Sequence, residues 1–303
     1  MVRFGTHLPL IDFDGSGIPS LTGYVDAARE AGFSAISAND HLVFQRSWLD
    51  GIVALSTVVD RSVDLTLATT VALPVVRGPV ALAKAAAALD ALSGGRFVLG
   101  VGPGSSAADY DAAGVPFGER WSRFDEAVRV LRSSLTEERV PTPDRFYDTP
   151  ALEPRPARPI PIWIGSWGSA AGLRRVARLG DGWLASAYNT TPDQISAGRD
   201  ILHRVLEPAR RDTRAFPVAL ATMWTYLTDS EAESRTRLEA LAHMLGRDPD
   251  TLAEQVLIGP AEVCAARLAR YADAGVDTVF IWPVADPVAQ LRHFGTSVVP
   301  HLS

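Results

Sequence analysis

The chain of 303 residues is 47% hydrophobic and 21% charged, a balance that excludes intrinsic disorder and supplies enough sequence for one large core. Its formal net charge is −6, and its Lys and Arg residues are scattered rather than gathered in one block, which excludes a nucleic-acid-binding footprint. The start shows no cleavable signal pattern and no apolar stretch reaches the ~20 residues that span a bilayer, so we expect a cytoplasmic protein without a membrane segment.

One joint recurs along the chain: a helical pattern ends in glycine and an apolar run follows. It occurs in the stretches AREAGFSAI, LDALSGGRFVL, VARLGDGWLA and YADAGVDTVF. Glycine supplies the left-handed backbone that ends a helix, and the apolar run has the pattern of a buried strand. Residues 58–71 and 209–224 make the same switch without glycine. Together with VRFGTHLP at the start and PIPIWIGS at 159–166, these joints predict eight strands.

The segments between the strands have helical periodicity, as in Leu21, Tyr24, Val25 and Ala28 of the first helix. Alternation of strand and helix implies right-handed crossovers and a parallel sheet. Eight such repeats predict an α/β protein folded as a closed (β/α)₈ barrel, with residues 1–303 in a single domain.

A proline-rich stretch at 140–161 interrupts this pattern between the fourth helix and the fifth strand. Its prolines exclude a helix, so we interpret it as an insertion that crosses the surface and forms a lid or rim.

In a (β/α)₈ barrel, the chemistry lies at the carboxyl ends of the strands. The residues at these predicted ends are His7-Leu8-Pro9, Asn39-Asp40-His41, Thr69-Thr70-Val71, Gly102-Pro103-Gly104-Ser105, Gly165-Ser166-Trp167-Gly168, Ser186-Ala187-Tyr188, Trp224-Thr225-Tyr226 and Trp282-Pro283.

The second strand end carries the candidate catalytic pair, Asp40 and His41. An imidazole that titrates near neutral pH can donate to, or relay protons for, a reacting ring, and the adjacent carboxylate can orient a neighbouring group. An isolated Asp-His pair is also compatible with no catalytic role. The six histidines show no H-x-H or H-E-x-x-H spacing and no cysteine partner, so no metal site is predicted.

The fourth strand end is rich in glycine, with Gly100, Gly102 and Gly104 in a G-x-G-x-G pattern. This is a poor match to the dinucleotide-binding pattern G-x-G-x-x-G, and Pro103 removes a backbone donor. The absent side chains instead let a flat ligand lie close to the backbone, with Ser105 and the serine that follows it as hydroxyl donors. The alternative is that these glycines only make a tight turn.

The fifth strand end offers the best anion site, formed by Ser166, Trp167, Gly168 and Ser169 ahead of the helical AAGLRRVARLG. Exposed N–H groups at a helix start, together with the helix dipole, favour a phosphate, and barrels of this type often hold one after a late strand. A plain helix cap is the alternative.

Aromatic residues crowd several strand ends, where some belong to the core and others suit a planar ligand. They are Trp48, Trp167, Trp183, Tyr188, Trp224, Tyr226 and Trp282. The single cysteine, Cys264, shares a helical face with Leu268 and Tyr271 and is predicted to be a small buried hydrophobe.

Several motifs, taken in order, resemble those of the luciferase-like monooxygenase superfamily. They are FGTHLP, SANDHL, LATTV, LDALSGGRFVLGVGPG, AAGVPFGERWSRFDEAVRVLR, PIPIWIGSWGS, LGDGWLAS and GPAEVCAARLARYADAGVDTVFIW. The resemblance implies a (β/α)₈ barrel that binds FMN or the deazaflavin coenzyme F420, with the tricyclic ring over the strand ends.

The resemblance also implies roles for particular residues. Asp40 and His41 would lie beside the reactive ring, and the bond between Thr70 and Val71 matches a non-prolyl cis peptide that supports the central ring. The segments that would hold the cofactor tail and phosphate contain Gly102, Gly104 and Ser105 after the fourth strand and Ser166, Trp167, Gly168 and Ser169 after the fifth.

The chain departs from one branch of this family. The deazaflavin-dependent sugar-phosphate dehydrogenases that it resembles carry a catalytic Glu just after the glycines of the fourth strand, and Ser105 stands there in this chain. The sequence therefore does not predict that activity. It does not predict the bacterial luciferase reaction either, since nothing matches the long substrate loop of that enzyme.

The sequence thus predicts an oxidoreductase that passes a hydride between coenzyme F420 and a small organic substrate beneath residues 140–161. The strand-two and strand-three pattern favours F420 over FMN; an FMN-dependent monooxygenase that uses oxygen is the alternative. For a non-catalytic flavin-binding barrel, His41→Ala would merely weaken binding, whereas in an enzyme it would abolish turnover. A metal-dependent hydrolase would contain zinc or manganese by elemental analysis. Relatives suggest a homodimer.

Overall fold

All strands in the described part of the chain run parallel and belong to one sheet. The computed structural model describes residues 2–13, 15, 17–136, 145–148, 156–213 and 215–302. The strands are β1 (Arg3–His7), β2 (Ala35–Ala38), β3 (Thr66–Thr69), β4 (Phe97–Val101), β5 (Ile162–Gly165), β6 (Gly182–Ser186), β7 (Val218–Leu227), β8 (Leu257–Gly259) and β9 (Thr278–Pro283).

Eight of these strands close into a barrel. Each strand from β1 to β7 pairs with the next along the chain, and β9 pairs with both β7 and β1 to complete the ring. The predicted (β/α)₈ architecture is confirmed.

Helices link successive strands on the outside of the barrel. They are α1 (Leu21–Glu30), α2 (Gly51–Thr57), α3 (Pro74–Arg77), α4 (Pro79–Leu92), α5 (Ala107–Ala112), α6 (Arg120–Leu135), α7 (Ala170–Leu179), α8 (Pro192–Leu206), α9 (Glu231–Leu245), α10 (Pro249–Ala253), α11 (Ala261–Asp273) and α12 (Pro287–Ser297). Within the described ranges, none combines the length and apolarity needed to cross a bilayer.

Three of the four glycine joints end their helix with the predicted left-handed glycine, whereas Gly180 after α7 is extended, with φ of −108°. Gly32 follows α1 with φ of 81°, and Gly275 follows α11 with φ of 92°, a left-handed conformation in which a Cβ is unfavourable. In each case the next strand begins within three residues of the glycine.

The barrel interior is filled by a few large side chains set among small ones. Phe280 is 1% exposed and fills the space beside Gly5, where a Cβ would lie 2.5 Å from the phenyl Cδ1 atom. Trp163 likewise occupies the space that a side chain on Gly182 would need, with its Cδ1 atom 2.6 Å from the position of such a Cβ. The interior is therefore a packed core, and a ligand can enter only at the ends of the barrel.

The prediction of eight strands missed β8, a three-residue strand outside the barrel. It pairs with the carboxyl-terminal part of β7, which extends past the barrel after a register shift between Leu220 and Met223. Thr222 within this bulge has φ of 56°. A strand of this length has too little pattern to be recognised from sequence.

The proline-rich stretch precedes β5, as expected, but residues 140–144 and 149–155 lie outside the described residues, and so does most of the predicted lid. Residues 145–148 are attached to α6, because the N–H groups of Phe146 and Tyr147 donate to Oε1 of Glu126 at 2.8 and 2.9 Å. Elsewhere, Cys264 is 1% exposed, which confirms it as a core residue.

Candidate active site

The carboxyl ends of the barrel strands form a mouth, and the ends of β2 and β3 are locked together there. The peptide bond between Thr70 and Val71 is cis, as expected. The Thr70 N–H donates to the carbonyl of Ala38 at 2.7 Å, and the Asp40 N–H donates to the carbonyl of Val71 at 3.1 Å. The Thr70 hydroxyl donates to Ser37 Oγ at 3.1 Å. The backbone around Val71 is thus fixed from both sides.

Small residues surround Val71 on the side of β4 and β5. A Cβ on Gly102 would lie 2.9 Å from Val71 Cγ2, and a Cβ on Gly165 would lie 3.2 Å from Val71 Cγ1. Only glycine therefore leaves this part of the mouth flat, with the valine side chain between two bare stretches of backbone. Gly104 follows with φ of 77°, and Ser105 beside it is exposed.

His41 is held by a carboxylate that the sequence did not single out, Asp109 on α5. The His41 Nδ1 atom lies 2.9 Å from Asp109 Oδ2. The other carboxylate oxygen, Oδ1, accepts the N–H groups of Leu42 and Val43, each at 2.8 Å. Asp109 is 1% exposed, whereas the His41 side chain keeps 23% of its surface exposed. The pair therefore combines a buried anchor with an accessible ring.

The Asp40 carboxylate binds an arginine on α3. Both of its oxygens accept from the Arg77 guanidinium at 2.5 Å, and Oδ2 also accepts the Leu73 N–H at 3.1 Å. Asp50 binds the same guanidinium at 2.5 Å. Burial acts to lower the pKa of Arg77, but the two carboxylates outweigh it and raise the pKa above its usual value. Asp40 thus anchors α3 beside the end of β3 through Arg77 and Leu73. Its catalytic role stays a prediction.

The loop after β5 is shaped as a helix start. Ser169 caps α7 by accepting the Gly172 N–H at 3.1 Å, and Ser166 Oγ accepts the Gly168 N–H at 3.3 Å. Gly168 has φ of 85°. Because both serine oxygens accept, their hydroxyl protons are free to turn toward an anion. The first N–H groups of α7 have no partner within the helix, as at every helix start.

Stacked aromatic rings line the opposite side of the mouth. The His7 ring stacks on Trp282 with centroids 3.6 Å apart, and Trp282 stacks on Trp224 at 4.0 Å. Trp48 meets Trp282 edge-on at 5.8 Å and lies 4.8 Å from the His41 ring. We call His7, Trp48, Trp224 and Trp282 the aromatic wall. It connects His41 with the ends of β1, β9 and β7.

His7 is the second imidazole of the mouth, but its environment differs from that of His41. Burial lowers the pKa of His7 to about 3, although hydrogen bonds with the Leu8 carbonyl and Asn39 act in the opposite direction. The ring is therefore neutral at physiological pH and 2% exposed, and it serves as a packing group rather than as an acid or base.

The remaining aromatic residues have separate places. Trp183 is fully buried and donates its indole N–H to the Ser166 carbonyl at 2.9 Å, which ties the β5 loop to β6. Tyr188 and Tyr226 lie under Arg247 and Arg237, with guanidinium carbons 5.6 and 5.0 Å from the ring centroids. Trp167 is 57% exposed beside the start of α7.

The sequence of residues 10–246 matches the family model for luciferase-like monooxygenases. The chain belongs to this family. The F420-dependent glucose-6-phosphate dehydrogenase of Intrasporangium calvum is 28% identical over a gapped alignment of 326 positions, which covers 94% of this chain and 95% of that enzyme. An uncharacterized protein of Mycobacterium bovis is 35% identical over 156 residues, or 51% of this chain and 52% of that protein, so the match spans about half of either.

Solved structures with the same fold carry different cofactors. An F420-dependent secondary alcohol dehydrogenase, in complex with an F420–acetone adduct, aligns with a TM-score of 0.86 and 17% identity and covers 100% of this chain and 99% of its own. The oxygenating constituent of 3,6-diketocamphane monooxygenase from Pseudomonas putida, in complex with FMN, aligns with a TM-score of 0.74 and 14% identity and covers 99% of this chain and 98% of its own. At these identities the likeness establishes the fold.

Most of the residues that the sequence predicts for the site lie at one end of the barrel, but the sequence did not single out Asp109 or Arg77. Ser106 three residues before Asp109 is a signal for the start of a helix, and the Asp109 N–H does donate to Ser106 Oγ at 3.3 Å. That signal predicts a helix cap and says nothing of the partner 68 residues earlier in the chain.

Proposed function

We propose that this protein is an oxidoreductase that transfers a hydride between coenzyme F420 and a small organic substrate at the mouth of its barrel. One observation supports the proposal above all others: the flat, glycine-lined surface around Val71 and the accessible His41 ring, held by Asp109, lie at the same end of the barrel. The F420-dependent enzyme of Intrasporangium calvum, which aligns over 94% of this chain, supports the choice of cofactor.

The residues present fit a tricyclic cofactor with a phosphorylated tail. Val71 between Gly102 and Gly165 provides an apolar support without protruding neighbours, since a Cβ at either glycine would crowd the valine. Ser166 and Ser169, with the first N–H groups of α7, provide donors for a phosphate. When bound, F420 would supply the hydride acceptor or donor.

The chain itself contributes binding, orientation and proton handling. The segment at Thr70 and Val71 provides the surface on which a ring would rest. His41 would take a proton from a substrate hydroxyl or return it to a carbonyl oxygen, a step of general acid–base catalysis worth roughly 10²–10⁴-fold in rate. The aromatic wall excludes water from the opposite side of the mouth.

Two features limit the substrate. Ser105 replaces the acid that the resemblance expects in sugar-phosphate dehydrogenases, so we do not assign a sugar phosphate as substrate. The aromatic wall offers apolar ring faces, but the indole N–H groups of Trp48, Trp224 and Trp282 are buried without a partner among the described residues, so it suits an apolar substrate that also carries a hydrogen-bond acceptor.

An FMN-dependent monooxygenase is the second candidate, supported by the fold shared with the FMN complex from Pseudomonas putida. The glycine-lined surface suits the isoalloxazine ring of FMN as well as it suits the deazaflavin ring, because both are flat tricycles.

Titration of the purified protein with F420 and, separately, with FMN tests the proposal, with absorbance and fluorescence as readouts. We expect saturable binding of F420 and weaker binding of FMN; the reverse order would favour the second candidate, and binding of neither would refute both.

A matched pair of variants locates the binding site. Gly168→Ala introduces a Cβ at φ of 85° in the proposed phosphate loop, and Gly114→Ala does the same at φ of 67° with no atom within 4 Å of the new Cβ. Both substitutions strain the backbone, by about 1 kcal/mol each. Only Gly168→Ala should weaken cofactor binding, by roughly tenfold for the ~1.4 kcal/mol of a lost phosphate contact. Equal affinities in the two variants would place the phosphate elsewhere.

A further inference from the structure

Asp109 is a fully engaged carboxylate in contact with the accessible imidazole of the mouth. It lies on α5, which begins directly after the glycine loop of β4, and it reaches back to the segment that follows β2. Its three hydrogen bonds are to the backbone of Leu42 and Val43 and to the His41 ring. None of the motifs that carry the family resemblance includes Asp109.

The hydrogen bonds fix which nitrogen of His41 carries the proton. An ionised carboxylate accepts hydrogen bonds and donates none, so a ring nitrogen 2.9 Å from Asp109 Oδ2 must be the donor. In the neutral ring, that nitrogen is Nδ1, and Nε2 keeps its lone pair. Among the described residues, Nε2 has no hydrogen-bond partner. Nε2 is therefore the atom left to react with a ligand in the mouth.

The ring is also prevented from turning over. Phe44 and Trp48 pack against His41, with centroids 5.0 and 4.8 Å from that of the imidazole. Because Asp109 Oδ1 is occupied by two backbone N–H groups, the carboxylate itself has little freedom to move. The orientation of the imidazole is thus set by the fold before any ligand enters.

Resting on the proposed function, we propose that Asp109 is a positioning residue that holds His41 with Nδ1 protonated and Nε2 free, so that Nε2 is the atom that exchanges the proton of the substrate hydroxyl. In the oxidation of an alcohol, the C–H pair of electrons leaves as hydride to the deazaflavin and the hydroxyl proton passes to Nε2. The substrate becomes a carbonyl compound and His41 becomes an imidazolium stabilised by Asp109. Reduction of a carbonyl runs these steps backwards.

The nitrogen NMR spectrum of the protein, with ¹⁵N-labelled histidine and no cofactor, tests the arrangement directly. At a pH where the ring is neutral, we expect the His41 signals to report a protonated Nδ1 and an unprotonated Nε2; the spectrum of His41→Gln identifies which signals they are. A wild-type ring protonated at Nε2 would overturn the proposal without any variant.

The Asp109→Asn variant should reverse this tautomer. The asparagine oxygen stays with the N–H groups of Leu42 and Val43, so its NH₂ group faces Nδ1, which must then accept, and the ring proton moves to Nε2. Exchange of a carboxylate for an amide beside the catalytic histidine of a Ser-His-Asp triad leaves the histidine in the wrong tautomer in the same way. Asp26→Asn, which removes a surface ion pair with Arg61 at 2.6 Å, is the control and should leave the spectrum unchanged.

Steady-state kinetics with F420 and a simple secondary alcohol, 2-propanol, as the probe separate positioning from a purely structural role. We expect Asp109→Asn to lower kcat about 100-fold, at the low end for general acid–base catalysis, with KM changed less than about threefold. The double variant with His41→Gln should be no slower than His41→Gln alone, since the two residues act as one unit. Additive losses, or an unchanged tautomer in Asp109→Asn, would overturn the proposal. A protein with the expected tautomer that binds neither F420 nor FMN would instead refute the proposed function, and with it the proton transfer, but would leave the positioning of His41 by Asp109 intact.

Discussion

His7 gives the fold a specific sensitivity to acid. Its ring is 2% exposed, stacks on Trp282 at 3.6 Å and has its pKa lowered by burial from 6.5 to about 3. In the unfolded chain the same imidazole gains a proton near pH 6.5, whereas in the folded chain it stays neutral until the pH approaches 3. Protonation therefore favours the unfolded chain, and stability falls as the pH drops below 6.5.

The magnitude follows from the gap between the two pKa values. Each pH unit below 6.5 costs about 1.4 kcal/mol until the folded pKa is reached, so at pH 5 His7 should lower the free energy of unfolding by about 2 kcal/mol relative to pH 8. In the variant His7→Phe this contribution is absent. The variant also loses the hydrogen bond that the neutral ring donates from Nδ1 to the Leu8 carbonyl, but that loss is a constant offset of about 1 kcal/mol at all pH values.

Urea denaturation of both proteins at pH 8, 7, 6 and 5 measures the effect. Between pH 8 and pH 5, the unfolding free energy of wild type should fall by about 2 kcal/mol more than that of His7→Phe. The control is His203→Gln, since the His203 side chain is 57% exposed; its curve should run parallel to that of wild type. Parallel curves for His7→Phe as well would refute the assignment of His7 as a buried neutral ring.

Three further results are expected. Asp40→Asn breaks a buried ion pair and should cost about 2–3 kcal/mol in urea melts, whereas Asp50→Asn keeps the cap of α2 and should cost less than about 1 kcal/mol. Burial acts to raise the pKa of Asp50, but hydrogen bonds from the backbone of α2 and from the Arg77 guanidinium lower it overall. The small loss of stability in Asp50→Asn should therefore be measurable at pH 7. It should disappear as the pH falls from about 3.9, the pKa of Asp in the unfolded chain, through the lower pKa of the folded protein. Gly102→Ala places a Cβ 2.9 Å from a valine methyl under the proposed ring and should weaken F420 binding about tenfold by titration, while Gly118→Ala, with open space around it, should not. Burial raises the pKa of Cys264 to about 12, so a thiol reagent should label it only at the rate of unfolding; rapid labelling of the folded protein would contradict its place in the core.

Local pattern was enough to predict the barrel and the position of its mouth. Helix-ending glycines and apolar runs determine each strand by itself, and parallel strands bring their carboxyl ends to one side whatever the details of packing. For this reason residues as distant in sequence as His41, Val71, Gly102 and Ser166 could be placed at one end of the barrel from the sequence.

Partners across long separations could not be predicted in this way. Arg77 lies 37 residues after Asp40, and Asp109 lies 68 residues after His41. Nothing in the local sequence of either acid indicates which base it meets, since that depends on how α3 and α5 pack against the loop after β2. The short strand β8 was missed for a different reason, because three residues carry no periodicity.

The proposed chemistry depends above all on a flat, phosphorylated cofactor that binds at the mouth of this barrel. A crystal structure of the protein with F420 shows directly whether it does. We expect the ring to lie against Val71, with the His41 Nε2 atom facing the reactive centre, and the phosphate to lie within hydrogen-bond distance of Ser166, Ser169 and the first N–H groups of α7. Cofactor density at any other surface, or a ring placed away from Val71 with the β5 loop empty, would rule out this binding mode.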